Sequence, residues 1–165
     1  MELRTWNIPV IAMRGITIFP HMSLTFDVER AISIRAVEHA METDQQIFLV
    51  TQKSLSVNQP KEKDLYEVGV VSRVKQVLRI SANCVRVMVE GDCRAQMRRL
   101  WQSNPYLQGN IEEIAEPETT DAFRRSPRTE ALLRQTINLF AEYADLVKGL
   151  PDEVLATVMD CRDVG

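Results

Sequence analysis

The sequence predicts an α+β fold: a twisted antiparallel sheet holding one helix, then a long helix that opens a separate helical region. Three observations carry this. From Val85 to Glu90 the residues alternate, with Val85, Val87 and Val89 on one side and Arg86, Met88 and Glu90 on the other, the two-residue period of a half-buried strand. Residues 30–42 repeat at helical spacing instead, Ile32, Ala36 and Ala40 forming one stripe and Ser33, Val37 and Met41 a second beside it. Beyond the acidic run Glu116-Pro117-Glu118-Thr119-Thr120-Asp121, apolar residues recur at intervals of three and four: Leu133, Ile137, Phe140, Ala144 and Val147.

Each element follows in order. Residues 7–13 read as a first strand and Leu24 to Val28 as a second. Between them Pro20 removes a backbone donor, so Phe19 to Met22 is expected to form a loop or strand edge. The helix of residues 30–42 leads to Ile47–Thr51, a short apolar run with the character of a central strand. Residues 53–63 are polar and aperiodic and read as a surface loop. A hairpin follows, its first strand from about Val68 to Ile80 and its turn at Ser81-Ala82-Asn83, where Asn83 is expected to take a positive φ. Gly91 is expected to bend the chain out of the second strand. Residues 93–101 and 106–114 then read as two more strands around Asn104-Pro105. The composition shift puts the domain boundary at 117/118, giving a β domain of residues 1–117 and the start of a helical subdomain at 118–165. Ser126-Pro127 has the form of an N-cap followed by proline at the first helical position. A helix from Pro127 to Lys148 would be about 33 Å long. Gly149 suits its termination, and Leu150-Pro151-Asp152-Glu153 begins another helix.

Composition narrows the function. With 45% hydrophobic and 26% charged residues, the chain can bury a real core. A net charge of −3 and 6% aromatics argue against a nucleic-acid partner, which would call for a basic surface or stacking platform. No apolar run approaches a membrane span, and the amino terminus lacks a secretory pattern, so the expected location is the cytoplasm. Cys84, Cys93 and Cys161 lack metal spacing and read as reduced thiols. Cys84 and Cys93 could lie on paired strands; the simpler reading makes them small buried residues.

No catalytic constellation assembles. The six glycines are scattered singly, so no phosphate-binding loop is present in the sequence. Lys53-Ser54 lies in a polar loop with nothing to desolvate the lysine. His21 and His39 lack ligand spacing. Binding remains. Phe19 and Met22, flanking Pro20, would make an adaptable apolar patch if exposed, with Met88 on the hairpin's outer face. Since most Phe side chains are buried, the ordinary alternative makes Phe19 core and Met22 a loop residue. Met13, Met41 and Met97 fit core positions.

Five ordered blocks carry a family resemblance. Ile8-Pro9-Val10-Ile11-Ala12-Met13-Arg14-Gly15, followed by Phe19-Pro20-His21-Met22, is similar to the opening signature of Lon protease amino-terminal domains. Arg30 through Met41, ending in Glu38-His39-Ala40-Met41, resembles that family's first helix, and Ile47-Phe48-Leu49-Val50-Thr51-Gln52-Lys53 its next strand. Asp64-Leu65-Tyr66-Glu67-Val68-Gly69-Val70-Val71 and Val85 to Ala95, with Glu90-Gly91 and Arg94-Ala95, resemble two further family blocks. The chain departs at Glu29-Arg30-Ala31-Ile32, where the family places Gly-Arg-Glu-Lys and only Arg30 carries over, and at Ser81-Ala82-Asn83, where the family has Pro-Asp-Gly.

The resemblance implies a PUA-like pseudo-barrel that recognises unfolded or damaged proteins and helps to assemble a hexamer. Phe19, Pro20, Met22, Arg30 and Met88 are the candidate substrate-binding residues. No catalytic, metal or cofactor residue is expected in this chain. ATP and Mg would belong to a downstream ATPase module, and the serine-lysine peptidase to a further one. The chain is thus expected to be the front part of a larger ATP-dependent serine endopeptidase. A stand-alone Lon-domain adaptor and a PUA-like RNA-binding module are the alternatives.

Overall fold

The computed structural model describes residues 3–115, 126–147 and 149–160. The chain divides into two compact units, Met1–Ala115 and Glu116–Gly165. The 117/118 boundary, Lys148 and Cys161 lie outside the described residues.

The first unit runs β1 (Thr5–Met13), β2 (Ser23–Val28), α1 (Ala31–Glu42), β3 (Gln46–Thr51), β4 (Val68–Ser81), β5 (Cys84–Gln102) and β6 (Gln108–Glu113), with one turn of 3₁₀-helix at Glu62–Asp64 before β4. The strands form one six-stranded sheet in the order β2-β5-β4-β3-β1-β6. Every pairing is antiparallel except β1 with β3, which run parallel with Val10 opposite Phe48. The sheet is therefore mixed. α1 lies on the crossover between β2 and β3 and supplies the long connection that brings β3 in beside β1.

β5 is longer than the sequence suggests. The 19-residue strand runs through Gly91 without leaving the sheet, because β4 pairs with it on both sides of that glycine. Its first half pairs with β2 and its second with β6, so the ladder β5-β4-β3-β1-β6 curls back on β5 into a barrel-like sheet. A register shift between Val71 and Ser72 leaves Asp92 as the extra residue, and the bulge supplies twist at that point.

Two cores result, one on each side of the central strands. Alternate residues of β1 diverge: Ile8, Val10 and Ala12 join Phe48, Val71, Ala95, Met97 and Ile111, a set with members from every strand of the curled ladder. Ile11 and Met13 join Ile47 and Leu49, the Ala36, Val37 and Ala40 face of α1, and Val85, Val87 and Val89. Strands covered on both faces have no polar side to show, which explains the uninterrupted runs in β1 and β3.

Local expectations were corrected at three further places. The turn after β4 contains no positive φ; these fall at His21 and Gln45 among non-glycine residues, each at 63°. A register shift between Arg79 and Ser81 makes Ile80 the extra residue, so the hairpin turns with Ala82 and Asn83 in ordinary conformations. Cys84 and Cys93 occupy the same strand, nine positions and so about 30 Å apart, and cannot be bridged. Met41 lies at the exposed end of α1, whereas Met13 and Met97 are buried.

In the second unit, α2 (Pro127–Leu146) begins at Ser126, whose hydroxyl accepts a 3.1 Å bond from the Thr129 backbone N–H. Leu133, Ile137, Phe140 and Ala144 form a half-buried stripe, while Leu132, Leu139 and Leu146 are exposed. Gly149, at φ 109°, follows the helix end. α3 (Asp152–Asp160) comes next.

Candidate functional site

The link between β1 and β2, residues 14–22, is pinned along its length. Arg14 donates to the Val57 carbonyl and the Asn58 side chain. Thr51 donates to the Ile16 carbonyl, its hydroxyl also lying 3.0 Å from that of Thr17. Ile18 is buried in the helix-side core. Pro20 follows, and its fixed φ and missing donor suit a tight reversal. Met22 N–H bonds back to the Phe19 carbonyl at 3.2 Å, closing the turn, with His21 in the left-handed conformation.

Gly91 holds this turn against β5. Its carbonyl accepts from His21 N–H and its own N–H donates to the Met22 carbonyl, both at 2.9 Å. A Cβ at this position would stand 2.4 Å from the Phe19 carbonyl oxygen. Glycine is required here for backbone approach, and no bend results. The local sequence signals a glycine with a special role, but the carbonyl that demands it lies 72 positions away and has no local signature.

The consequence is exposure. Phe19 is 59% exposed, Met22 40% and Met88 37%; Pro20 is half-buried. Met88 stands on the outer face of β5 opposite Thr25, three residues from Gly91. Phe19, Pro20 and Met22 therefore sit together on one turn, and Met88 stands apart from them on β5.

Arg30 does not join them. Its guanidinium donates to the Ala12 carbonyl and to the Gln52 side chain, at 3.2 Å for the latter, on β1 and beyond β3. Gln52 is itself buried and donates to the Ser54 and Val57 carbonyls at 2.7 and 2.6 Å. Burial holds the Arg30 pKa below its ordinary value, with the Arg14 charge acting in the same direction. The cation is thus committed to closing backbone ends beside α1.

Exposed apolar residues that sequence reasoning passed over include Ile16, Leu55, Tyr66, Val68, Leu78 and Ile80. Tyr66 and Val68 border a shallow depression with Thr17, Thr51 and Lys53. The signal available for Tyr66 and Val68 was only their place at the entry to β4, where an apolar residue is normally core.

Lys53 and Ser54 are engaged separately. The Lys53 ammonium donates to the Lys63 carbonyl at 3.1 Å, and the Ser54 hydroxyl lies 2.9 Å from that of Ser56. Among the described residues no three His, Cys, Asp or Glu side chains are placed to hold a metal ion. No helix of the described residues is long and apolar enough to cross a membrane. Around the Phe19–Met22 turn the side chains on offer are exposed apolar groups and the exposed His21 imidazole.

Comparison with known proteins bears on the fold and the family. The model of the ATP-dependent protease La (Lon) substrate-binding domain matches residues 7–165. The Lon protease of Heliobacterium modesticaldum is 36% identical over 159 residues, which is 96% of this chain and 19% of that protein. The Lon protease of Clostridioides difficile is also 36% identical, over 96% of this chain and 20% of its own length. The chain thus spans about a fifth of these relatives. Among solved structures, the N-terminal domain of the Mycobacterium avium complex Lon protease superposes with a TM-score of 0.66 at 19% identity, covering 96% of this chain and 77% of that one. The Xanthomonas campestris Lon N-terminal domain protein gives 0.56 at 12% identity, covering 94% and 90%. The curled mixed sheet with α1 on its crossover is therefore the fold of these domains, and the chain belongs to the Lon substrate-binding domain family.

Proposed function

We propose that this chain captures unfolded or damaged polypeptides for an ATP-dependent Lon protease, gripping them through Phe19, Pro20 and Met22 on the turn and Met88 on β5. The observation that carries this reading is a phenylalanine 59% exposed on a turn that is itself fixed by Gly91. A rigid mount for an exposed aromatic lowers the ordering cost of binding. Arg30 acts in this reading through the fold, by holding the end of β1.

The energetics suit a low-specificity grip. Covering the exposed parts of Phe19 and Met22 removes on the order of 200 Å² from water, about 5 kcal/mol gross at ~25 cal/mol per Å². Association costs of comparable size leave weak intrinsic binding. Several copies in a homo-oligomer, hexameric in the Lon family, would convert weak contacts into retention above the downstream modules. Those modules would supply ATP with Mg and the serine peptidase chemistry, and this domain would have no catalytic role. The cytoplasm is the location that goes with this reading.

The test is binding of a fluorescent, permanently unfolded protein to the parent, Met22→Asp, Met88→Asp and Phe19→Ser. Each variant is expected to keep its melting temperature and to bind several-fold more weakly. Binding by the parent is expected to survive 1 M salt, where the Debye length is about 3 Å. Unchanged affinity in all three variants would refute the proposal.

A further inference from the structure

Among the described residues β2 has one whole edge without a partner. It stands at the end of the sheet order and pairs only with β5 among the described residues. The register says which of its backbone groups are free. Gly91 N–H donates to the Met22 carbonyl, and bonded pairs in an antiparallel ladder recur every second residue. They therefore continue as Leu24 with Val89, Phe26 with Val87 and Val28 with Val85. Ser23, Thr25 and Asp27 point their N–H and C=O groups the other way. Among the described residues, no backbone or side-chain group bonds to the N–H or C=O of these three. The result is three donor–acceptor sets spaced at about 6.8 Å, the repeat of an extended chain.

Protein edges of this kind are normally blunted by proline, lysine or an inward charge. The stretch Ser23–Val28 has no proline and no lysine. Its one charged residue, Asp27, is turned onto the sheet face, where Arg86 holds both carboxylate oxygens at 2.7 and 2.9 Å. Beside the carboxyl end of the edge lies a depression of about 180 Å³ whose walls mix apolar and charged side chains, Ile16 and Phe26 with Arg14, Asp27, Glu29 and Arg30. Phe19 and Met22 stand at the opposite end of the same strand.

We propose that β2 takes up an extended segment of unfolded polypeptide as an added strand, hydrogen-bonded to Ser23, Thr25 and Asp27. This rests on the capture reading above and names the form in which the captured chain is held. Only an extended backbone offers alternating donors and acceptors at this repeat. Such bonding reads no side chains, so it suits capture without sequence preference.

The probe is a short peptide of alternating leucine and threonine, compared with the same peptide methylated throughout its backbone nitrogens. Strand addition predicts that methylation weakens binding to the 165-residue chain by at least about tenfold. The unmethylated peptide should also slow hydrogen exchange at the amides of Ser23, Thr25 and Asp27. Thr25→Pro removes an outward N–H that the β2–β5 ladder does not use, so it should fold and bind about tenfold more weakly. Equal binding of both peptides would overturn the proposal, as would peptide binding without protection at those amides; both readouts use the parent and stand whether or not Thr25→Pro folds. Protection that grows with protein concentration in the absence of peptide would assign the edge to a second copy and overturn it too. A parent that binds unfolded protein but shows no protection refutes strand addition alone. A parent that binds neither peptide nor unfolded protein refutes the capture reading itself.

Discussion

Replacing Gly91 with alanine puts the mount of the Phe19–Met22 turn to a direct test. The new Cβ would sit 2.4 Å from the Phe19 carbonyl oxygen and 3.3 Å from a Val70 methyl, so backbone has to move. The chain has two ways to respond. If the turn peels away, it loses the His21–Gly91 and Gly91–Met22 bonds. At about 1 kcal/mol net each, that costs about 2 kcal/mol. The smaller unfolded-state entropy of alanine returns about 0.5–1 kcal/mol. If the turn stays and the core gives instead, overpacking costs about 1–3 kcal/mol. Peeling then nets a loss of about 1–1.5 kcal/mol and overpacking one of up to about 2.5 kcal/mol, a drop in Tm of up to roughly 10 °C for a unit of this size. Urea and thermal unfolding measure the total. Amide exchange at His21 and Gly91 distinguishes the routes, because peeling exposes both amides while a strained but closed turn keeps them protected. Stability equal to the parent with both amides still protected would refute the close-approach argument.

Three further outcomes follow from the same geometry. His21, at φ 63°, should tolerate glycine with little change, whereas His21→Val should cost about 1 kcal/mol or more; Asn83→Val, at a turn without positive φ, should cost less, and thermal melts rank the three. Hydrogen bonds from Arg86, Lys75, Arg98 and Arg4 hold the carboxyls of Asp27, Glu90, Glu112 and Glu113 below their ordinary values. Groups depressed in the folded state add stability above the unfolded carboxylate pKa of about 4 and lose it as pH falls through the folded values. Tm should therefore hold level from pH 7 to about 5 and decline below about 4, and the part due to these exposed pairs should shrink in 1 M salt. Burial pushes the Cys93 thiol up to about 11, so alkylation of the folded protein should be slow at pH 8 and should accelerate toward pH 11, as peptide mapping of labelled Cys93 would show. Rapid labelling of Cys93 at pH 7 would contradict its half-buried position.

Local chemistry determined much of this protein from the sequence alone. The alternation in Val85–Glu90 and the stripe Ala36-Val37-Ala40 describe faces, and a face depends only on the geometry of its own element. Ser126 before Pro127 is a cap because its hydroxyl reaches an N–H three residues on. The ordered blocks from Ile8 to Ala95 carried the family for the same reason: they are short and contiguous in the chain. What tertiary structure alone decided involves partners distant in sequence. Gly91 stays in its strand because β4 pairs along both sides of it, and it must be glycine because the Phe19 carbonyl presses on it. Phe19 is exposed because that contact fixes the turn's backbone, while its neighbour Ile18 takes the core position. β1 and β3 run parallel because α1 carries the chain back to the starting end of the sheet. Arg30, a charged residue at a helix entry, became a brace once Ala12 and Gln52 were brought beneath it. The periods of helix and strand are written residue by residue, but which edge stays open and which carbonyl meets which glycine depend on register, a property of pairs of segments.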